Sequence, residues 1–342
     1  MSIRRIAVAA AAAVAALGLA GAAQANDSRI ALVPGGPHPY FAAWEQASKD
    51  AAKDFGLGAA EYKVPQAWEL SQQNKLIESL ASQGFNGFLV FPGDAVGTGA
   101  TLNELADLGI PSAALAGCVQ DPSKALFCLA TDVYQSAYIG TRELIKRMGG
   151  KGRIAHFTGF LVDPNTQLRI QAVEQAVKEA GPGVSIIQVI ADIDAQQAAD
   201  EKINAFLAAQ GKNVDGIITT AWVPTVVAAT SLRNLGDKRI HMVGIDHDPV
   251  VLAAIKDGFV DGTMLQNPYG QAYIGAYAID LVRHGCTVKE DAPWKKTAQT
   301  ARFIDSGTAF VDASQVGDYQ AAMKAVTDRI MKTFKDTYLS CE

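Results

Sequence analysis

The chain has 342 residues, of which 30 are basic and 35 acidic, giving a formal net charge of −5 at pH 7. That balance excludes nucleic acid as a natural partner, because phosphate recognition needs clustered Lys and Arg. The length exceeds one ordinary domain and predicts two lobes. The chain opens with Arg4 and Arg5, an alanine-rich apolar run from Ile6 to Ala20, and then Ala23-Gln24-Ala25. This pattern predicts a signal peptide over residues 1–25, since the run is shorter than the ~20 apolar residues that span a bilayer. Without Arg4 and Arg5 the mature chain would carry 28 basic against 35 acidic residues, a net −7. A soluble, periplasmic product is the expectation.

Ile30–Val33 is a short apolar strand, followed by the turn Pro34-Gly35-Gly36-Pro37. From Pro39 to Phe55 the residues Phe41, Trp44, Ala47, Ala51 and Phe55 recur at helical steps. A strand at 61–64, a helix at 69–82, a fully apolar strand at 88–91, a helix at 98–108 and a strand at 112–115 complete a first half. The grammar restarts with strand 154–157, helix 164–180, strand 184–190 and helix 195–209. Strand 216–219, helix 223–235, strand 241–244 and helix 249–257 follow. Third strands begin 57 residues after Ile30 and 62 after Ile154, each announced by a dipeptide, Asn86-Gly87 or Asp215-Gly216. The expected fold class is therefore α/β, two doubly wound parallel-sheet lobes made from copies of one unit. Ligands of such sheets bind beyond the carboxyl ends of the strands.

Four cysteines in an oxidising compartment suggest two disulfides, with three pairings open. The short loop between Cys118 and Cys128 favours Cys118–Cys128 and Cys286–Cys341, the second tying the tail to the body. Free buried thiols are the alternative. No C-x-x-C pair or Cys/His cluster supports a metal, and no cofactor motif is present.

The run IALVPGGPHPYFAAWEQASKDAAKDFG, then NGFLVFP with Asp94, LGIPSAAL, MVGIDHDP and DGTMLQNPYGQAYIGA, resembles the type I periplasmic binding proteins of the ribose-binding kind. The resemblance covers nearly all of the mature chain. It implies a three-stranded hinge, with crossings near Thr131-Asp132, Gln266–Pro268 and Arg302–Asp305. It divides the chain into an N-terminal lobe of 26–131 plus 268–300 and a C-terminal lobe and tail of 132–267 plus 301–342. The segment 316–338 extends beyond the family's minimal length as a helix, with Tyr319, Met323, Val326, Ile330 and Phe334 on one side.

A sugar offers apolar C–H faces to rings, and hydroxyls that both donate and accept. The resemblance places His38, Tyr40 and Phe41 at the cleft mouth, as a hydroxyl partner and ring platform; a hydrophobic staple is the alternative for one ring. Asp246 matches a ligand aspartate, or else caps the helix before Pro249; Gln266 matches the hinge glutamine, or else bridges hinge backbone through its amide. Asn165 and Gln167 begin a second-lobe helix, with Gln167 where relatives carry a ligand arginine and Arg169 matching a neighbouring one. Trp222 is a wall or lid, or lobe packing, and Asp94 a further polar contact. The departures are Ala116-Gly117 for an Asp-Arg pair, Ile193 for an aromatic and Ala221 for an asparagine. They point from ribose toward a small or open-chain polyol, another pentose or deoxyhexose, or a furanose-like signal.

Nucleophile-elbow, zincin and phosphate-loop motifs are absent, so the expectation is binding rather than catalysis. Asp246-His247-Asp248 is expected as a solvated loop rather than a metal or base site. The implied role is a monomeric solute-binding protein that closes on a small sugar or sugar alcohol and delivers it to an ABC transporter permease. The alternatives are a periplasmic sensor presenting the ligand to a membrane receptor and a sugar-modifying enzyme.

Overall fold

A computed structural model describes residues 26–342. The expected signal peptide and its cleavage point lie outside the described residues. The first lobe is built from β1 (Arg29–Val33), α1 (Ala42–Asp54), β2 (Ala59–Tyr62), α2 (Leu70–Ser82), β3 (Gly87–Val90), α3 (Gly97–Asp107), β4 (Ser112–Leu115) and β5 (Cys128–Ala130). The second takes α4 (Val133–Arg147), β6 (Gly152–Phe157), α5 (Pro164–Ala180), β7 (Val184–Ile190), α6 (Gln196–Gln210), β8 (Gly216–Thr219), α7 (Trp222–Leu235), β9 (His241–Ile245), α8 (Pro249–Lys256) and β10 (Gly262–Leu265). The chain then adds α9 (Pro268–Arg283), β11 (Thr287–Val288), β12 (Phe303–Asp305), β13 (Ala309–Val311), α10 (Tyr319–Tyr338) and β14 (Leu339–Ser340).

The two six-stranded sheets have one order, β12-β5-β4-β3-β1-β2 and β13-β10-β9-β8-β6-β7, and every pairing within them is parallel except β10 with β13. The duplication seen in sequence is a duplication of contacts. Ile30 sits opposite Gly87 and Ile154 opposite Gly216, so the 57- and 62-residue spacings are strand registers. Asn86 Oδ1 accepts the Arg29 N–H at 2.8 Å, and Asp215 Oδ2 accepts the Arg153 N–H at the same distance. The glycine after each polar residue is sterically required. A Cβ at Gly87 would lie 2.4 Å from Ile279 on α9, and one at Gly216 would lie 2.4 Å from Met148 at the end of α4. Each lobe therefore needs Asx-Gly to start its third strand and let a crossover helix seat against the sheet.

Strands β2 and β3 begin earlier than the apolar runs suggested, because pairing with β1 rather than hydropathy sets their starts. The expected division assigned 301–342 to the second lobe, and this needs correction. Strand β12 pairs with β5 in the first sheet, β13 crosses to the second, and β14 returns to pair with β11. The third crossing is thus Ser306–Thr308, just past the expected position. Disulfides Cys118–Cys128 and Cys286–Cys341 are both formed. No helix among the described residues is long and apolar enough to cross a membrane.

Candidate ligand-binding site between the lobes

The carboxyl ends of the two sheets face each other across a cleft whose floor is the hinge. On the first-lobe side, β1 runs into Gly35-Gly36, whose missing side chains let Trp68 pack at 3.0 and 2.8 Å from where their Cβ atoms would be. Phe41 is the centre of the ring cluster, with centroids 4.9 Å from Trp44, 5.2 Å from Phe91 and 6.3 Å from Trp68. Trp68 also reaches the opposite lobe, 6.5 Å from Phe160. The cleft is therefore lined by aromatic faces from both sides.

His38 caps the short helical turn Pro39–Phe41, its Nδ1 accepting the Tyr40 N–H at 3.2 Å. That bond leaves the ring proton to Nε2, which lies 3.3 Å from Asp194 Oδ2 of the other lobe. Tyr40 donates its hydroxyl to Gln271 Oε1 at 2.9 Å, with burial pushing its pKa far up. Tyr40 is one of the residues that line the cavity.

Polar groups converge from the second lobe. Asp246 is 3% exposed and follows β9 with a left-handed φ of 70°. Ala116 follows β4, the equivalent strand of the first lobe, with φ 61°. Left-handed non-glycine residues are costly and cluster at functional sites; here they occupy equivalent strand ends on opposite walls. Asp246 Oδ1 accepts from Gln266 Nε2 at 2.8 Å. Burial raises its pKa to about 6, opposed by that hydrogen bond and by Arg169 and His38. Arg169, only 8% exposed, has one long bond of 3.4 Å to Gln266 Oε1, and its Nε has no partner. A buried guanidinium with an unused donor calls for an acceptor. Asp163 caps α5 through the Asn165 N–H at 2.9 Å, and burial raises its pKa. Asn165 Nδ2 donates to Ala116 O at 3.1 Å, a second bond between the lobes.

Trp222 is the first residue of α7 and forms a wall 8% exposed, its indole N–H donating to Asp248 at 3.2 Å. Beneath the site, His156 is fully buried and pushed down to about 3 by desolvation. Its Nε2 meets Thr220 Oγ1 at 2.7 Å, so it supports the floor as a neutral ring.

Of the residues singled out by sequence, His38, Tyr40, Phe41, Asn165, Trp222, Asp246 and Gln266 share this cavity. Asp94 and Gln167 do not line it. Asp94 spends its carboxylate on the Val96 and Gly97 N–H groups at the start of α3, and Gln167 is exposed and donates to Leu161 O. Asp94 is a helix cap and Gln167 a local side chain-to-backbone bond, and both satisfy their polar groups within a few residues of chain. The DHD segment also differs from expectation. Asp246 is buried, Asp248 caps α8 through the Val250 N–H, and His247 is half-buried between Trp222 and Tyr319. The residues missed are Trp68, Phe91, Phe160, Val162, Asp163 and Asp194, whereas Arg169, matched to a family arginine in the sequence, does line the cavity. The Gly35-Gly36 pair was a usable sign that something large packs there; nothing local marked Phe160 or Asp194. Among the described residues no His/Cys/Asp/Glu group could hold a metal ion.

A profile of the periplasmic binding protein domain matches residues 30–285. The chain belongs to that family. This periplasmic binding protein is 27% identical over 240 residues to a xylitol-binding protein of Mycolicibacterium smegmatis, covering 69% of this chain and 67% of the relative. It is 21% identical over 246 residues to a D-apiose import binding protein of Paraburkholderia graminis, covering 72% and 78%. An ABC transporter solute-binding protein of Burkholderia graminis, solved with D-arabinose, superposes with a TM-score of 0.76 at 22% identity, covering 86% of this chain and 98% of that one.

Proposed function

We propose that this periplasmic binding protein is the solute-binding component of an ABC importer and that its ligand is a small sugar or sugar alcohol of about the size of a pentose. The observation that carries the reading is Asp246, at a strand end, and Arg169, on α5, both buried and lining one cavity with rings, with the Arg169 Nε lacking an acceptor. A carboxylate accepts from neighbouring hydroxyls and a guanidinium donates to them, while Phe41, Trp68 and Trp222 cover apolar C–H faces. The relatives named for xylitol and D-apiose support a five-carbon ligand, and the import role in the name of the second favours uptake over the sensor alternative.

In this reading the lobes hinge about 131–132, 266–267 and 306–308 and close on one ligand, which must bind the closed form better to shift the balance. The closed surface is then read by the membrane permease. Export through the signal at residues 1–25, a monomeric state and absence of turnover belong to the same reading. Calorimetry against pentoses, pentitols, hexoses and inositols tests it. One-to-one binding of a five-carbon member is expected, and silence across the panel contradicts it.

A further inference from the structure

Helix α10 belongs to neither duplicated half, yet it touches both. Tyr319 and Met323, in its first two turns, pack against the second-lobe core beside Val316. Ile330, Met331, Phe334 and Tyr338 pack into the first-lobe core. Between these halves Thr327 is buried and hydrogen-bonded to Asn267 at the second crossing, 2.9 Å from its Nδ2. The far end is fastened twice to the first lobe, by β14 on β11 and by Cys286–Cys341. The helix therefore straps the back of the hinge, opposite the cleft.

The first turn of α10 connects to the cleft through rings. Tyr319 lies 5.6 Å from His247 with planes tilted by 30°, and His247 meets Trp222 edge-on at 5.4 Å. Both arrangements fall within the attractive range for aromatic pairs. Trp222 is the second-lobe wall of the ligand cavity, so this wall is linked to the tail through His247. Gln266 lines both the cleft and the cavity beside α10, which leaves only the hinge segment between them.

We propose that Tyr319 is a positioning residue for the ligand site, acting through His247 to hold Trp222 against bound ligand in the closed form. Tyr319 packs on the second-lobe core, the lobe that carries His247 and Trp222, so the three rings stay together with or without ligand. This inference rests on the cleft being the sugar site, but one of its readouts does not.

The test replaces tryptophan by 5-fluorotryptophan in the full mature chain, assigns the Trp222 fluorine resonance with Trp222→Phe, and compares Tyr319→Ala with Tyr319→Phe. Tyr319→Ala should shift and broaden that resonance without added sugar, and Tyr319→Phe, which keeps the ring, should restore it. With xylitol or D-arabinose as probe, dissociation from Tyr319→Ala should be about 3- to 10-fold faster, the scale of one aromatic pair, with association little changed. An unmoved Trp222 resonance in Tyr319→Ala overturns the proposal whether or not a sugar binds. Failure of the wild-type protein to bind any sugar overturns the sugar-site reading, while the fluorine comparison still decides the role of Tyr319.

Discussion

At the residue scale the account turns on Asp246. Its buried carboxyl titrates at about 6, above the ~3.9 of an unfolded aspartate, so the folded protein holds this proton more tightly. Between those two values folding takes up a proton, and the contribution of Asp246 to stability falls as pH rises across the window. A ligand that donates hydroxyls favours the ionised form. Binding should therefore release a proton, and affinity should rise as pH is raised from 5 through 7, a range set by the value near 6. Asp246→Asn should weaken binding by about 10- to 100-fold, the scale of a lost charge-assisted bond, and flatten that pH profile; calorimetry at several pH values reads both. Ala116, strained at φ 61°, offers a contrasting case. Ala116→Gly should raise stability by about 1 kcal/mol, measurable by denaturant unfolding, as the left-handed penalty disappears.

At the scale of elements, the crossings carry a connected polar network. Asn267 bonds Ser306 O and Thr327 Oγ1 and accepts the Gly270 N–H, while Gln271 bonds Ser306 Oγ and Tyr40. Asn267→Ala leaves these buried groups unpaired and should cost about 2–4 kcal/mol in urea unfolding. The disulfides differ in the loops they close, 55 residues for Cys286–Cys341 and 10 for Cys118–Cys128. In the chain-entropy account their removal costs about 4 and about 3 kcal/mol respectively. Paired Cys→Ser variants compared by unfolding check that ranking.

The elements were the most legible part of the sequence, because apolar periodicity reports burial directly: α5 begins and ends as expected, at Pro164 and Ala180. The Asx-Gly echo was legible because one steric and one hydrogen-bond requirement recurs in both lobes. Site residues were legible where they follow a strand that a pattern announces, as Tyr40 and Asp246 do. Trp68, Phe160 and Asp194 lie in loops without periodicity, and only the meeting of two lobes gives them a shared cavity. Asp94 misled because an aspartate after a strand serves equally as a cap.

For the whole molecule, the structure is a closed cleft latched by His38 to Asp194 and Asn165 to Ala116, strapped behind by α10. The first-lobe core reaches across to Trp222, Val223 and Val226 of α7, and the chain passes between the lobes at three crossings. The central claim is that this cleft exists to enclose a small polyhydroxylated molecule. It is met most directly by titrating the wild-type protein and Asp246→Asn with xylitol, D-apiose and D-arabinose in one calorimetric series. The account predicts saturable one-to-one binding of at least one of them by the wild type, sharply weakened in the variant. Heats indistinguishable from dilution for all three, or equal affinity in the two proteins, would contradict it.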